Sequence, residues 1–138
     1  MQQRQHGRFF QKLGPQIYRA GKRPILDADD ARTCLEECDD LLATHDTLVF
    51  LIDTPLLPPY AIGDVLRRWY RSRRSLLSAK VLCAIHIIPD QQGRTERIAR
   101  HALIAARLPF PEYFVGTIHH ARRVAEEEIA RSDHRTAK

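Results

Sequence analysis

The sequence predicts an α/β domain with a mixed, mostly parallel sheet of four or five strands and about four helices. Two observations lead to this prediction. The apolar runs at 47–53 and 80–88 are short and lack polar alternation, as expected for strands that helices cover on both faces. Amphipathic segments with helical spacing separate these runs, and strands joined by single helices must lie mostly parallel. The predicted element order is ββαβαβαβα.

The N-terminal part of the chain predicts a hairpin followed by a helix. Residues 8–13 and 16–20 are assigned to two strands because Gly14-Pro15 between them is typical of a turn, although a broken helix is the alternative. Asp27 is placed to cap the first helix. The core face of this helix follows helical spacing and contains Ala31, Cys34, Leu35, Cys38, Leu41 and Leu42.

Three more helices and a last strand follow. A second helix is predicted over 60–78, and a third is predicted from Thr95, after 89–93 breaks the preceding strand. A short strand at 113–116 precedes a last helix that Thr117 caps. The residues predicted to face inward are Ile62, Val65, Leu66, Trp69, Leu76 and Leu77, then Ile98, Ala102, Leu103 and Ala106, then Ile118, Ala121, Val124, Ala125 and Ile129.

Length and composition fit one folded domain. The chain has 138 residues, of which 43% are hydrophobic and 28% charged, as in ordinary globular domains. The domain is expected to have its core at about 8–130, with flexible ends at 1–7 and 132–138. No apolar run reaches the roughly 20 residues of a membrane-spanning helix, and the polar N-terminus lacks the apolar part of a secretory signal. We therefore expect a cytoplasmic protein without a membrane span.

Residue types that carry catalysis or bind metals show no productive pattern. Cys34, Cys38 and Cys83 form an odd set without a CxxC pair, so we expect reduced, buried thiols and neither disulfides nor a zinc site. The histidines lack the i, i+4 pair of zinc enzymes, and the glycines form no phosphate-binding loop. The sequence therefore predicts no metal, no cofactor and no catalytic residues, which favours a protein that is not an enzyme.

Two features remain as candidate contact sites. Asp53 ends a predicted buried strand, where open α/β sheets place ligands, and the hydroxyls of Thr54 and Tyr60 lie close in sequence. The net charge is +5, and the predicted helix at 60–78 concentrates arginines that suit acidic partners or phosphates. A capped strand end and a solvated helix face are the structural alternatives. The arginines are Arg67, Arg68, Arg71, Arg73 and Arg74, and all but Arg73 are candidate contact residues.

Several short segments, in this order, resemble those of one known family. They are Tyr18-Arg19-Ala20-Gly21 before Asp29-Asp30-Ala31, the strand Leu48–Asp53, Pro58-Pro59 with Trp69, and Phe114-Val115-Gly116-Thr117 before Ala121-Arg122. Over roughly residues 8–130 the chain resembles the STAS family, the domain of anti-sigma-factor antagonists and of sulfate-transporter tails. The resemblance implies a signalling module that binds a protein partner, its own copy or a small ligand. The phosphorylated Ser or Thr of signalling members is not matched, because its segment here reads Pro59-Tyr60-Ala61-Ile62.

Two other interpretations stay open. Leu48–Asp53 with Leu57-Pro58 and Val65–Arg68 is similar to the phospho-acceptor region of response-regulator receivers, which implies Asp53 as the acceptor. The acidic pair and the Lys-Pro of receivers are missing, so the resemblance implies a degenerate receiver. Nucleic-acid binding through 60–78 is not favoured, because no base-reading motif accompanies the arginines. The leading expectation is an interaction module whose contact surface is the second helix and the loop 53–62.

Overall fold

A computed structural model describes residues 9–21, 23–53, 60–102 and 109–136. Within these ranges the chain forms a five-stranded sheet and five helices, which confirms the predicted α/β class and element order apart from one extra helix. The strands are β1 Phe10–Lys12, β2 Ile17–Ala20, β3 Leu48–Ile52, β4 Val81–Ile87 and β5 Glu112–Val115. The helices are α1 Ala28–Thr44, α2 Tyr60–Ser72, α3 Arg74–Lys80, α4 Gln91–Ala102 and α5 Ile118–Thr136.

The strands lie side by side in chain order, β1-β2-β3-β4-β5. β1 runs antiparallel to β2, which confirms the predicted hairpin, and the other neighbouring strands are parallel. Each parallel connection therefore moves the chain one strand further in the same direction. Because such crossovers are right-handed, the helices between β2 and β3 and between β3 and β4 must lie on the same face of the sheet.

The sheet separates two hydrophobic cores. Side chains of α1, α2 and α3 cover one face, with Leu42, Trp69 and Leu77 packed on Leu48 and Phe50 of β3. The intervening β3 residues, Val49 and Leu51, point to the opposite face, where α5 covers them with Ala121 and Ala125. α5 follows the last strand, so no crossover fixes its face and it can cover the side that the other helices leave open. Coverage on both faces explains why β3 has no polar alternation.

Side-chain caps define the start of the first and last helices, as predicted. The carboxylate of Asp27 accepts a hydrogen bond from the Asp30 N–H at 2.8 Å and opens α1. The hydroxyl of Thr117 accepts one from the His120 N–H at 3.1 Å and opens α5. α5 continues to Thr136, so the end that was expected to be flexible, 132–138, is helical as far as this residue. Basic residues in its last turn, His134 and Arg135, suit the negative end of a helix.

The helix after β4 begins earlier than predicted. The segment 89–93 was expected to be a breaker, but the carboxylate of Asp90 accepts a hydrogen bond from the Gly93 N–H at 2.7 Å. This cap starts α4 before the predicted Thr95. Ile98 was predicted to face inward and is 48% exposed, so that prediction was wrong. The other predicted core residues of this helix are outside the described side chains: Ala102, Leu103 and Ala106.

The second predicted helix is two helices in the structure. Arg73 has φ −118° and ψ 18° and separates α2 from α3. The carbonyl of Trp69 accepts from the Ser72 hydroxyl at 3.0 Å as well as from the Arg73 N–H at 3.1 Å. A serine that bonds to the backbone in this way competes with the helical pattern. The break leaves Leu77 buried and Leu76 40% exposed, so the inward prediction for Leu76 was wrong.

All three cysteines are free and buried, as predicted. Cys34 and Cys38 lie on the core face of α1. Cys83 belongs to β4, and its side chain is part of the core between the sheet and α5. In the part of the chain that the structure describes, no helix has both the length and the apolar character needed to cross a membrane.

The side chain of Glu37, on α1, binds backbone N–H groups at the edge strand of the sheet. Its carboxylate accepts hydrogen bonds from the N–H groups of Phe9 at 3.0 Å and Phe10 at 3.2 Å. We expect Glu37→Ala to lower the free energy of unfolding by about 2–3 kcal/mol, because hydrogen bonds to a charged group are lost. Urea unfolding and hydrogen exchange of the β1 amides measure this. Glu36→Ala, an exposed neighbour, is the control, and unchanged β1 exchange in Glu37→Ala would contradict the assignment.

Candidate functional site

Asp53 directly follows β3 at the carboxyl edge of the sheet, where the sequence placed it. Its Oδ2 accepts a hydrogen bond from Nε of Arg19 at 2.9 Å and lies 2.7 Å from Nη2 of the same side chain. The two side chains are 20% and 23% exposed. The Asp53 N–H also donates to the carbonyl of Ala20 at 2.8 Å. The carboxylate and the backbone N–H of Asp53 thus both join the end of β3 to β2. This arrangement corresponds to the structural alternative, a capped strand end.

The other two residues predicted beside Asp53 cannot be placed against it. Thr54 belongs to the segment 54–59, which is outside the described residues, and Tyr60 opens α2 with a side chain that is also outside them. A contact role for the loop 53–62 therefore stays a prediction.

The predicted arginines do not form one uniform surface. Arg67 forms an ion pair with Asp64 one turn earlier on α2. Arg68 and Arg71 are exposed, and neither has an acidic partner among the residues that the structure describes. Arg74 is exposed and opens α3, beyond the helix break. The cluster therefore divides into a paired arginine, two cations on α2 without an acidic partner and one cation on a separate helix.

A groove of about 420 Å³ lies between α1 and α2 and was not predicted from the sequence. Each helix lines it with residues at positions i, i+3, i+4 and i+7, so one stripe of each helix faces the groove. We call it the α1–α2 groove. Its lining consists of Arg32, Leu35, Glu36 and Asp39 from α1, Val65, Arg68, Trp69 and Ser72 from α2, and Arg73.

The α1–α2 groove has an apolar floor and a charged rim. Leu35 and Trp69 are buried and Val65 is half-buried, so these three side chains form the floor. The remaining lining residues reach further into solvent, and four of them are exposed: Arg32, Glu36, Arg68 and Ser72. The rim is therefore open, and a molecule in the groove would keep one side in water.

One end of the groove is held by a contact between helices. The Asp39 carboxylate accepts from Trp69 Nε1 at 3.2 Å and from Arg73 Nη2 at 2.9 Å. The Arg73 guanidinium carbon also lies 5.0 Å from the centroid of the Trp69 ring, within cation–π range. Asp39 thus has its charge compensated inside the fold. The sequence placed Arg73 in the arginine cluster, but no local pattern links Arg73 to Asp39. This contact was therefore not predicted.

Two further polar pairs are buried away from the groove. Nε2 of His86 lies 2.7 Å from Oε2 of Glu112, with 8% and 10% of the two side chains exposed. On the α5 side of the sheet, the Tyr113 hydroxyl donates to the buried Glu128 carboxylate at 3.0 Å. Burial and this carboxylate raise the pKa of Tyr113. These pairs join β4, β5 and α5 and act as packing contacts.

Among the described residues, no three His, Cys, Asp or Glu side chains are grouped as metal ligands.

Comparison with known proteins adds no relative. No family model matches the chain, and no curated protein and no solved structure matches it.

Proposed function

We propose that this chain is a non-enzymatic, STAS-like regulatory module of the cytoplasm that binds a protein partner through the α1–α2 groove. The observation that carries the proposal is the combination of an apolar floor at Trp69 with an exposed Arg68 that has no acidic partner in the described part of the chain. Protein interfaces pair a buried apolar centre rich in Trp and Arg with a charged rim that selects the partner. α2 is also the helix on which the sequence placed the contact surface.

The topology supports the STAS-like part of the proposal more than the receiver alternative. The structure follows the predicted order ββαβαβαβα, with one additional helix between β3 and β4. The sheet order is sequential, whereas doubly wound receiver folds have the order 2-1-3-4-5. Asp53 is also engaged by Arg19, so a phosphoryl group at this carboxylate would have to displace an ion pair.

The charge pattern around the groove favours a protein over a nucleic acid. Glu36 lies exposed on the rim, and Asp64 lies beside Arg67 on α2. A phosphate backbone is uniformly negative and would meet these carboxylates with repulsion. A protein surface can place apolar, acidic and basic groups separately, and therefore fits a mixed rim better.

A photo-crosslinking amino acid at Ser72, on the groove rim, tests the proposal. We expect the full-length chain to form an adduct with one defined protein in extracts of its own cells. The same purified protein, or a second copy of the chain, should then bind the wild type with an affinity that Arg68→Glu/Arg71→Glu lowers about 10-fold or more. The matched control is a crosslinker at Glu127, an exposed position on α5.

Two results would contradict this function. One is a set of adducts that is the same from Ser72 and from Glu127, since this would mean that α2 has no partner of its own. The other is equal binding of the purified partner to the wild type and to the Arg68→Glu/Arg71→Glu variant.

A further inference from the structure

We infer that the α1–α2 groove takes an acidic amphipathic helix, with apolar side chains on the floor at Trp69 and carboxylates beside Arg68. The inference rests on the proposed function and names the chemistry of the partner segment. Three properties of the groove support it: its shape, its apolar floor and the unequal charge of its two sides.

The shape of the groove fits a helix better than a small molecule. Pockets for small ligands enclose most of the ligand surface. Here Arg32, Glu36 and Arg68 on the rim are all exposed, so the groove is open along its length. Each lining stripe runs from i to i+7, which spans about 10 Å at 1.5 Å per residue. A third helix can lay about two turns of its own apolar stripe between two such helices.

The floor offers anchoring sites for that stripe. Leu35 and Trp69 keep only 9% and 8% of their surface exposed, and Val65 lies beside them on α2. The Asp39 carboxylate fixes the Trp69 ring through Nε1, and the Arg73 guanidinium covers the ring. The floor is therefore formed before a partner arrives, which lowers the ordering cost of binding.

The two sides of the groove differ in charge. On the α2 side, Arg68 is exposed without an acidic partner among the described residues, while Arg73 is occupied by Asp39. On the α1 side, Arg32 shares its charge with Asp29 one turn earlier, and Glu36 is exposed. The uncompensated positive charge is thus on the α2 side. A complementary helix carries its carboxylates on the flank that meets α2.

Two designed peptides of about 15 residues, a length at which an isolated helix becomes stable, test this chemistry. Both have the same leucine stripe, and the positions on the one flank that would meet α2 are Glu in one peptide and Lys in the other. They are titrated into the full-length chain labelled with ¹⁵N. Trp69 is the single tryptophan, so its indole signal reports the floor of the groove directly. We expect the Glu peptide to shift this signal and the Leu35 and Arg68 amides, and to bind about 10-fold more tightly than the Lys peptide.

Charge reversal provides the decisive variant. Arg68→Glu should weaken binding of the Glu peptide about 10-fold and strengthen binding of the Lys peptide, an exchange that partial unfolding would not produce. Arg123→Glu changes an exposed arginine on α5 and should leave both affinities unchanged. Equal binding of the two peptides, shifts away from the groove, or an Arg68→Glu variant that binds like the wild type would each overturn the inference. If one of these contradicting results appears while the crosslinker at Ser72 still forms its adduct, the proposed acidic helix is wrong. The proposal that the α1–α2 groove binds a protein is then retained.

Discussion

Raising the pH above 9 is expected to destabilise this protein steeply, because its thiols are buried. Burial raises the pKa of Cys34 and of Cys83 from the ordinary 9.0 to about 12, and it raises the pKa of Cys38 as well. In the unfolded chain these thiols ionise from pH 9, whereas in the folded chain they keep their protons. The stability they contribute is therefore complete below pH 9 and is lost as the pH rises towards 12.

The size of this effect is large compared with the stability of a small domain. Each thiol with a pKa of about 12 costs roughly 1–2 kcal/mol by pH 10, one unit above its unfolded pKa. Cys34 and Cys83 together therefore remove about 3 kcal/mol from a free energy of unfolding that is typically about 5–15 kcal/mol. Urea unfolding at pH 8, 9 and 10 measures the decline.

A variant without thiols provides the control for this prediction. Replacing Cys34, Cys38 and Cys83 by alanine should lower the stability at pH 8, since buried atoms are removed. Its stability should then fall less between pH 8 and pH 10 than that of the wild type. The same decline in both proteins would show that other groups cause the alkaline unfolding.

Glu112→Ala is expected to lower the free energy of unfolding by about 2–4 kcal/mol, the second large effect. Nε2 of His86 lies 2.7 Å from the Glu112 carboxylate, and the His86 ring stacks on Phe114 with 4.8 Å between centroids. Removing the carboxylate takes away the acceptor for Nε2 in a place that water hardly reaches. Urea unfolding at pH 7 measures the loss.

Two related variants show whether the hydrogen bond is responsible. Glu112→Gln keeps an oxygen that can accept from Nε2 of His86, so it should cost less than Glu112→Ala. Glu126→Gln removes a carboxylate at an exposed position on α5 and should change stability by less than about 0.5 kcal/mol. A Glu112→Ala variant as stable as Glu126→Gln would contradict the role given to this pair.

Local sequence signals correctly predicted where the two helices with predicted side-chain caps begin. The caps at Asp27 and Thr117 were found because a side chain that accepts from its own first turn needs nothing from the rest of the fold. The helix break at Arg73 and the start of α4 at Asp90 were missed. In the first case a serine hydroxyl competes for the Trp69 carbonyl, and in the second a cap was read as a breaker. In both, the same residue types permit either outcome.

The sequence predicted the charges of the candidate site but not its shape. The sequence identified Arg68 and Trp69 on one helix, and with them the cationic and aromatic character of the surface. It did not show that Asp39 of α1 would bind Arg73, or that Arg19 would occupy Asp53. These pairs join residues 34 positions apart, and only the packing of helices on the sheet brings them into contact.

The sequence by itself determined the α/β class, the order of the elements and the residues of the central strand, because periodicity and apolar runs reflect which faces must be buried. The tertiary structure decided which of the charges in its described part are compensated and which are not. It also decided that α1 and α2 leave a groove between them. The physical reason is that the compensation of a charge and the space between two helices depend on distances across the fold, which no stretch of sequence contains.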